Sequence, residues 1–186
     1  MKYLEIKEYD IANGPGVRTS LFVSGCTHHC KGCFNPESWD FNNGMEFNED
    51  TTNKILESLS YDYIDGFSLL GGEPFEEENQ ECLTKLLRII KDKYPDKSVW
   101  CYTGYLFDKD ILDNMVKNFP YTKEMLNYID IIVDGKFILE KKDLSIIFRG
   151  SSNQRIIDVQ ASLKNKKIIL SEYDSVRLGG SKIWKK

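Results

Sequence analysis

The chain has 186 residues, of which 41% are hydrophobic and 29% charged, a composition that excludes a disordered chain and suits one folded domain. Its net charge of −4 and the lack of a block of basic residues argue against nucleic acid as a partner. The sequence shows no signal-peptide pattern and no apolar run of about 18 residues, so we expect a cytoplasmic protein that does not enter the membrane. Five cysteines in that compartment are more typical of metal binding, catalysis or burial than of disulfides.

The N-terminal part of the chain predicts two strands followed by a cysteine-rich loop. Residues Tyr3–Tyr9 alternate loosely and predict an edge strand, and a glycine-rich turn leads into a second strand at Thr19–Val23. That strand runs directly into Cys26–Cys33, so the loop lies at a carboxyl strand end. Residues Asp50–Thr52 favour the N-terminus of a helix, because apolar residues at helical spacing follow them.

From residue 66 onward, apolar strands alternate with helical patterns. Helical periodicity covers Glu77–Lys93 and Asp110–Phe119, and a turn is predicted near Lys123–Tyr128. The alternation predicts an α/β fold with a mostly parallel sheet whose ligands bind at the carboxyl ends of the strands. The sequence does not determine the position in the sheet of the last three predicted strands. The predicted strands of this part of the chain are Gly66–Leu70, Ser98–Tyr102, Ile129–Val133, Ser145–Phe148, Arg155–Val159 and Lys166–Leu170.

Three cysteines within eight residues form the pattern C-x3-C-x2-C, at Cys26, Cys30 and Cys33. Because a cubane iron–sulfur cluster takes four ligands, three thiolates from one loop would leave one iron open. The alternative is a zinc site in which His28 or His29 supplies the fourth ligand. Either histidine could instead tune a cluster from outside its ligand set or face solvent.

Polar or glycine-rich residues follow three further predicted strands at the same edge of the sheet. Glycine permits close backbone approach to a ligand, and Glu73 is an acceptor that can hold a cation or brace its own loop. Ordinary turns explain the same residue types. Cys82 and Cys101 lie on apolar patterns and are predicted to be buried rather than metal-bound. The three strand ends are Gly71-Gly72-Glu73-Pro74, Thr103-Gly104 and Asp134-Gly135-Lys136.

The cysteine pattern followed by Gly71–Pro74 resembles the radical S-adenosylmethionine enzymes. More narrowly, Asp10–Arg18, Gly25–Asn35 and Val133–Phe137 resemble the activating proteins of anaerobic ribonucleotide reductase. The likeness runs from about residue 1 to residue 160. The superfamily often has an aromatic residue before its third cysteine, whereas this chain has Gly32, as the reductase activators tend to have.

The resemblance implies a partial (β/α) barrel of the radical S-adenosylmethionine type, with the domain at residues 1–160 and a C-terminal extension at 161–186 predicted to be partly disordered. It implies a [4Fe-4S] cluster on Cys26, Cys30 and Cys33, with S-adenosylmethionine at the open iron. Cluster and cofactor carry the chemistry, so no side chain is predicted to be catalytic. The residues expected to contact the cofactor, Thr103 by position alone, are Gly32, Cys33, Phe34, Gly71, Gly72, Glu73, Thr103, Asp134 and Lys136.

The function implied by the resemblance is reductive cleavage of S-adenosylmethionine to a 5′-deoxyadenosyl radical, which takes a hydrogen atom from a glycine of anaerobic ribonucleotide reductase. A cytosolic one-electron donor such as flavodoxin is the expected reductant. The loop that contains Arg18 is predicted to shape the mouth where the partner's glycine enters. The alternatives are an activase of another glycyl-radical enzyme, a radical enzyme for a small molecule, and a zinc-stabilised interaction module.

Overall fold

The computed structural model describes residues 1–178 and, within them, seven strands in one open sheet. Strands β2, β4, β5 and β6 are parallel to one another, whereas β1, β3 and β7 pair antiparallel. The spatial order is β3-β1-β2-β4-β5-β6-β7, so the fold is mixed α/β with a parallel centre and antiparallel edges. The strands are β1 (Lys2–Asp10), β2 (Arg18–Val23), β3 (Met45–Glu46), β4 (Gly66–Gly71), β5 (Ser98–Tyr102), β6 (Ile131–Asp134) and β7 (Arg155–Asp158).

The predicted helix at Glu77–Lys93 is confirmed at both ends, whereas two others begin elsewhere than predicted. The first helix is capped by Asn48, whose side chain accepts the Thr51 amide at 3.0 Å. The helical pattern near Asp110 starts at Phe107 as a π-helix, Phe107–Met115. The α-helices are α1 (Glu49–Leu59), α2 (Glu77–Lys93), α3 (Val116–Asn118), α4 (Thr122–Leu126) and α5 (Val159–Asn165).

The two faces of the sheet carry different residues because successive side chains of a strand point to opposite sides. On one face, Leu21, Leu69 and Cys101 pack with the apolar residues of α1 and α2 in the main core. On the other face, Trp100 is the centre of a smaller cluster. Helices therefore cover one face, and the opposite face is left for the cavity and the C-terminal segments.

Two predicted strands, Ser145–Phe148 and Lys166–Leu170, are not strands in the structure. Each contributes a single isolated bridge, between Ile146 and Arg177 and between Leu170 and Ile157. The first crosses the second face of the sheet, where the rings of Phe148 and Trp100 lie 5.3 Å apart, instead of joining a sheet edge. The apolar residues of the first segment, Ile146 and Ile147, are buried without strand pairing, whereas Leu170 of the second segment is 51% exposed.

The C-terminal extension is described as far as residue 178. Tyr173 packs edge-on against Trp100 with ring centroids 5.5 Å apart, and Asp174 pairs with Arg149 at 2.8 Å. This part of the extension therefore contacts the same sheet as the preceding residues. The predicted tail at Gly179-Gly180 and its basic end lie outside the described residues. Among residues 1–178, no helix is both long and apolar enough to span a bilayer.

Candidate iron–sulfur site

The cysteine loop follows β2 and borders a cavity of about 460 Å³ at the carboxyl ends of the parallel strands. Cys26 is buried, and Cys30 and Cys33 are half-buried; all three line this cavity. Strand-end residues predicted for the cofactor share its wall. The predicted residues that line the cavity are Gly32, Cys33, Phe34, Gly71, Gly72, Glu73 and Thr103.

Backbone N–H groups face each of the three sulfurs. The Asn35 amide donates to the Cys33 sulfur at 3.4 Å. Burial raises the pKa of Cys26 to about 12, and the backbone N–H groups of His28 and His29 act against that rise. Burial also raises the pKa of Cys30, opposed by the backbone N–H of Phe137.

These donors suit a metal-bound thiolate, because metal ligation deprotonates a thiol outright and N–H groups stabilise the remaining charge. Cys26, Cys30 and Cys33 therefore fit a cluster: one cavity, three sulfurs and a backbone donor near each.

The cysteine loop interlocks with the turn after β4 through close backbone contacts. The Gly25 carbonyl accepts the Glu73 amide at 2.7 Å, and the Gly25 amide donates to the Ser38 carbonyl at 2.8 Å. A Cβ on Gly72 would lie only 2.5 Å from the Gly25 carbonyl oxygen. At Gly71, φ is +112° and a Cβ would lie 2.5 Å from the Val23 nitrogen. Both glycines are needed for this packing.

Glu73 is fully buried and its carboxylate has four hydrogen-bond donors around it. Oε1 accepts the Phe75 amide at 2.9 Å and the Thr103 hydroxyl at 2.7 Å. Oε2 accepts the Gly104 amide at 2.7 Å and the His28 ring at 2.9 Å. A carboxylate offers about four lone-pair sites, so these contacts use the whole group and favour its role as a brace between three strand-end loops.

A second carboxylate, Glu76, also binds the cysteine loop. Its Oε1 accepts both the amide and the hydroxyl of Thr27, at 2.8 and 2.6 Å. The sequence pattern does not single out Glu76, because this residue stands in an acidic run at the start of α2 where solvent-facing glutamates are ordinary. Only the fold shows that this member of the run is buried.

The two histidines of the loop have different surroundings. His28 is directed at Glu73, whereas His29 is exposed and stacks on Trp39 with ring centroids 4.6 Å apart. Within residues 1–178, no three His, Cys, Asp or Glu side chains converge closely enough to hold a single metal ion. A cluster attaches its ligands to separate irons, so the three thiols suit a cluster better than one zinc ion.

The two residues at the carboxyl end of β6 that were predicted to contact the cofactor, Asp134 and Lys136, lie outside the cavity lining. Asp134 is fully buried and accepts Arg155 Nε at 3.0 Å and the Phe107 amide at 2.8 Å. Lys136 is exposed, and its charge lies near enough to Cys30 to oppose the rise that burial causes in the pKa of that thiol. Neither Asp134 nor Lys136 is among the residues that line the cavity. Their predicted contact with the cofactor stays a prediction.

The Arg18 side chain does not reach the cavity, so the prediction is wrong for this residue, although Asn13 of the same loop lines the cavity. The Arg18 side chain is fully buried and donates to the Ser68 hydroxyl at 2.7 Å, the Ser98 carbonyl at 2.8 Å and the Phe67 carbonyl at 2.9 Å. Burial lowers its pKa to about 10. Arg18 therefore ties β2 to β4 and β5 from within the sheet.

Comparison with known proteins agrees with this site. Residues 12–157 match the family model described as a 4Fe-4S single cluster domain. Together, the cavity, the three thiols and this match define an iron–sulfur protein.

The relatives define the family more closely, and each is named an anaerobic ribonucleoside-triphosphate reductase-activating protein. The one from Haemophilus influenzae is 42% identical over 158 residues, which are 84% of this chain and 97% of the relative. Those from enterobacteria phage T4 and Escherichia coli K12 are both 39% identical, covering 84% and 83% of this chain and 93% and 96% of the relatives. This chain belongs to the family of anaerobic ribonucleoside-triphosphate reductase-activating proteins, which confirms the predicted resemblance.

Proposed function

We propose that this protein generates a glycyl radical on an anaerobic ribonucleoside-triphosphate reductase by reductive cleavage of S-adenosylmethionine. The observation that carries the proposal is the set of three thiols on one cavity, each faced by backbone N–H groups. The names of the relatives support the choice of partner, since each relative is named for activating that reductase.

In this proposal Cys26, Cys30 and Cys33 hold a [4Fe-4S] cluster and leave one iron for the cofactor. When bound, the cluster would supply the single electron that breaks the bond between the sulfonium sulfur and the 5′ carbon, and the 5′ carbon would gain a hydrogen atom from a glycine of the partner, so that methionine, 5′-deoxyadenosine and a glycyl radical result.

The side chains of this protein position the reactants and exclude water. Gly71 and Gly72 present a side-chain-free backbone toward the methionyl part of the cofactor, and Thr103 lies beside them on the cavity wall. Glu73 contributes by holding these strand ends together. We further propose that Lys136, the cation near Cys30, attracts the cofactor's carboxylate and that Asp134 supports its loop.

The segment that follows β6 also lines the cavity. Its apolar residues there are Leu144, Ile146 and Phe148, beside the charged Lys142, Asp143 and Arg149, and Leu144 is 76% exposed. A reactive radical must be kept from water, and the apolar side chains serve that purpose. We propose that the partner's glycine-bearing loop enters beside these residues and completes the enclosure.

Three further features of the protein are proposals that follow from the family. The parallel strands β2, β4, β5 and β6 with a site at their carboxyl ends support a partial barrel of the radical S-adenosylmethionine type. The division into a domain at residues 1–160 and an extension at 161–186 and a flavodoxin-type electron donor are proposed on the resemblance alone, whereas the cytoplasmic location stays the expectation drawn from the sequence pattern.

The decisive experiment uses anaerobically reconstituted protein, its reductase partner, S-adenosylmethionine and a reductant. We expect about four irons per chain, formation of 5′-deoxyadenosine, and a glycine-centred doublet in the electron paramagnetic resonance spectrum of the reductase. Cys30→Ala should lose iron and the doublet together. The matched control is Cys82→Ala, because Cys82 is half-buried in α2 and lies away from the cavity lining.

The alternatives give different results in the same experiment. Cleavage of S-adenosylmethionine without a doublet on the reductase would point to another glycyl-radical enzyme or a small-molecule substrate. One zinc per chain, and no iron in any preparation, would sink the proposal and favour an interaction module.

A further inference from the structure

His28 connects the cysteine loop to the turn after β4 through one buried hydrogen bond. Its Nε2 lies 2.9 Å from Glu73 Oε2, and the two side chains are 5% and 1% exposed. Because Glu73 has the geometry of an acceptor for four donors, the proton of this bond is assigned to the histidine ring. The bond therefore joins residues on either side of the cavity edge that are 45 positions apart in sequence.

The surroundings of His28 leave its ring a single position. Tyr105 packs edge-on against it with ring centroids 4.3 Å apart. Gly104 lies on another side, where a Cβ would stand 2.3 Å from the imidazole. The Glu73 carboxylate is itself fixed by the Thr103 hydroxyl and by two backbone amides. An anchor fixed on so many sides can hold the backbone to which His28 belongs.

That backbone joins Cys26 to Cys30, because His28 and His29 are two of the three residues between them. The chain takes a left-handed conformation at His29, with φ at +46°. Successive N–H groups in such a turn form a concave site for negative charge. A left-handed conformation is unfavourable for a residue other than glycine, so contacts must hold it in place.

We propose that His28 is a positioning residue, which, through its hydrogen bond to Glu73, holds the turn between Cys26 and Cys30 in the conformation that directs its backbone N–H groups toward the cluster site. The inference rests on the proposed function in one respect, that Cys26 and Cys30 bind the cluster. Hydrogen bonds to cluster sulfurs stabilise the reduced form, so they raise the reduction potential. His28 thereby sets how readily the cluster accepts its electron.

Three substitutions separate the hydrogen bond from the bulk of the ring. His28→Leu removes the donor, and His28→Gln restores an N–H donor that can reach Glu73. Gly104→Ala leaves His28 unchanged but forces its ring away, because the added Cβ occupies the position of the imidazole edge. The control is His29→Asn, since asparagine tolerates the left-handed conformation and the His29 ring faces Trp39 instead of Glu73.

The first measurement needs no cluster. Hydrogen exchange of the 27–30 segment in the iron-free protein should be about 10- to 100-fold faster in His28→Leu and in Gly104→Ala than in the wild type, as expected for loss of one hydrogen bond to a charged group. His28→Gln should exchange within a few-fold of the wild type. The second measurement is the midpoint potential of the reconstituted cluster, which should be lower in His28→Leu and Gly104→Ala and recover in His28→Gln.

The results separate a positioning role from a structural one. A lower melting temperature of His28→Leu with unchanged exchange and potential would overturn the inference, as would a shift in His29→Asn as large as that in His28→Leu. If the wild type binds no iron, the proposed function fails, while the exchange result on iron-free protein still decides whether His28 holds the loop.

Discussion

Substitution of Glu73 by glutamine tests whether this carboxylate braces the site. The residue is fully buried, and its carboxylate accepts from the Phe75 amide, the Gly104 amide, the Thr103 hydroxyl and the His28 ring. Glutamine has nearly the same shape, but one of its two acceptor oxygens becomes an NH₂ group. The change therefore alters hydrogen bonding and leaves the packing as it was.

The cost follows from the positions of the two backbone amides. If the glutamine NH₂ group takes the position of Oε1, it faces the N–H donor of Phe75, and if it takes the position of Oε2, it faces the N–H donor of Gly104. The Thr103 hydroxyl and the His28 ring can exchange donor and acceptor roles, whereas a backbone amide cannot. One hydrogen bond to a charged group is thus lost in either orientation, which costs about 2–3 kcal/mol.

The assay is thermal and urea unfolding of iron-free protein under reducing conditions. At roughly 2–4 °C per kcal/mol for a chain of this length, we expect the melting temperature to fall by about 4–12 °C. Glu57→Gln is the matched control, because Glu57 lies on the exposed side of α1 and should change stability by less than about 0.5 kcal/mol. If Glu73→Gln is as stable as this control, the bracing role is refuted.

Three further predictions concern the frame of the site. Gly72→Ala puts a Cβ 2.5 Å from the Gly25 carbonyl oxygen and should cost about 1–3 kcal/mol with less iron retained; unchanged urea unfolding would contradict this. Burial by itself would raise the pKa of Asp10, but hydrogen bonds to the carboxylate, one of them from the Ser20 hydroxyl at 2.6 Å, outweigh burial and bring the pKa below the ordinary 3.8. The resulting stability is full above pH 3.8 and is lost as the pH falls through the folded-state pKa, so Ser20→Ala should raise that pKa in an NMR titration; an unchanged value would be evidence against it. Arg18→Lys keeps the charge but loses the forked donors and should cost about 2–4 kcal/mol in urea unfolding; a loss below about 1 kcal/mol would mean that the fork is dispensable.

Local sequence patterns predicted correctly those elements in which the period of the apolar residues matches the face that is buried. Helix α2 has its apolar stripe and charged face in one continuous 17-residue run, so its ends were predicted correctly. The segment at 145–148 has the composition of a strand, yet it packs across Trp100, because burial against a sheet face and pairing at a sheet edge select the same apolar residues.

Sequence by itself determined the chemistry and the family. Three cysteines at fixed spacing, followed by a glycine-rich strand end, predict the cluster ligands and the edge of the sheet at which these residues gather. The contacts that hold the cysteine loop in place were decided only by the tertiary structure. Glu73 and Glu76 reach the cysteine loop because β2 and β4 are adjacent parallel strands whose ends meet at one edge, a long-range pairing that no local pattern records.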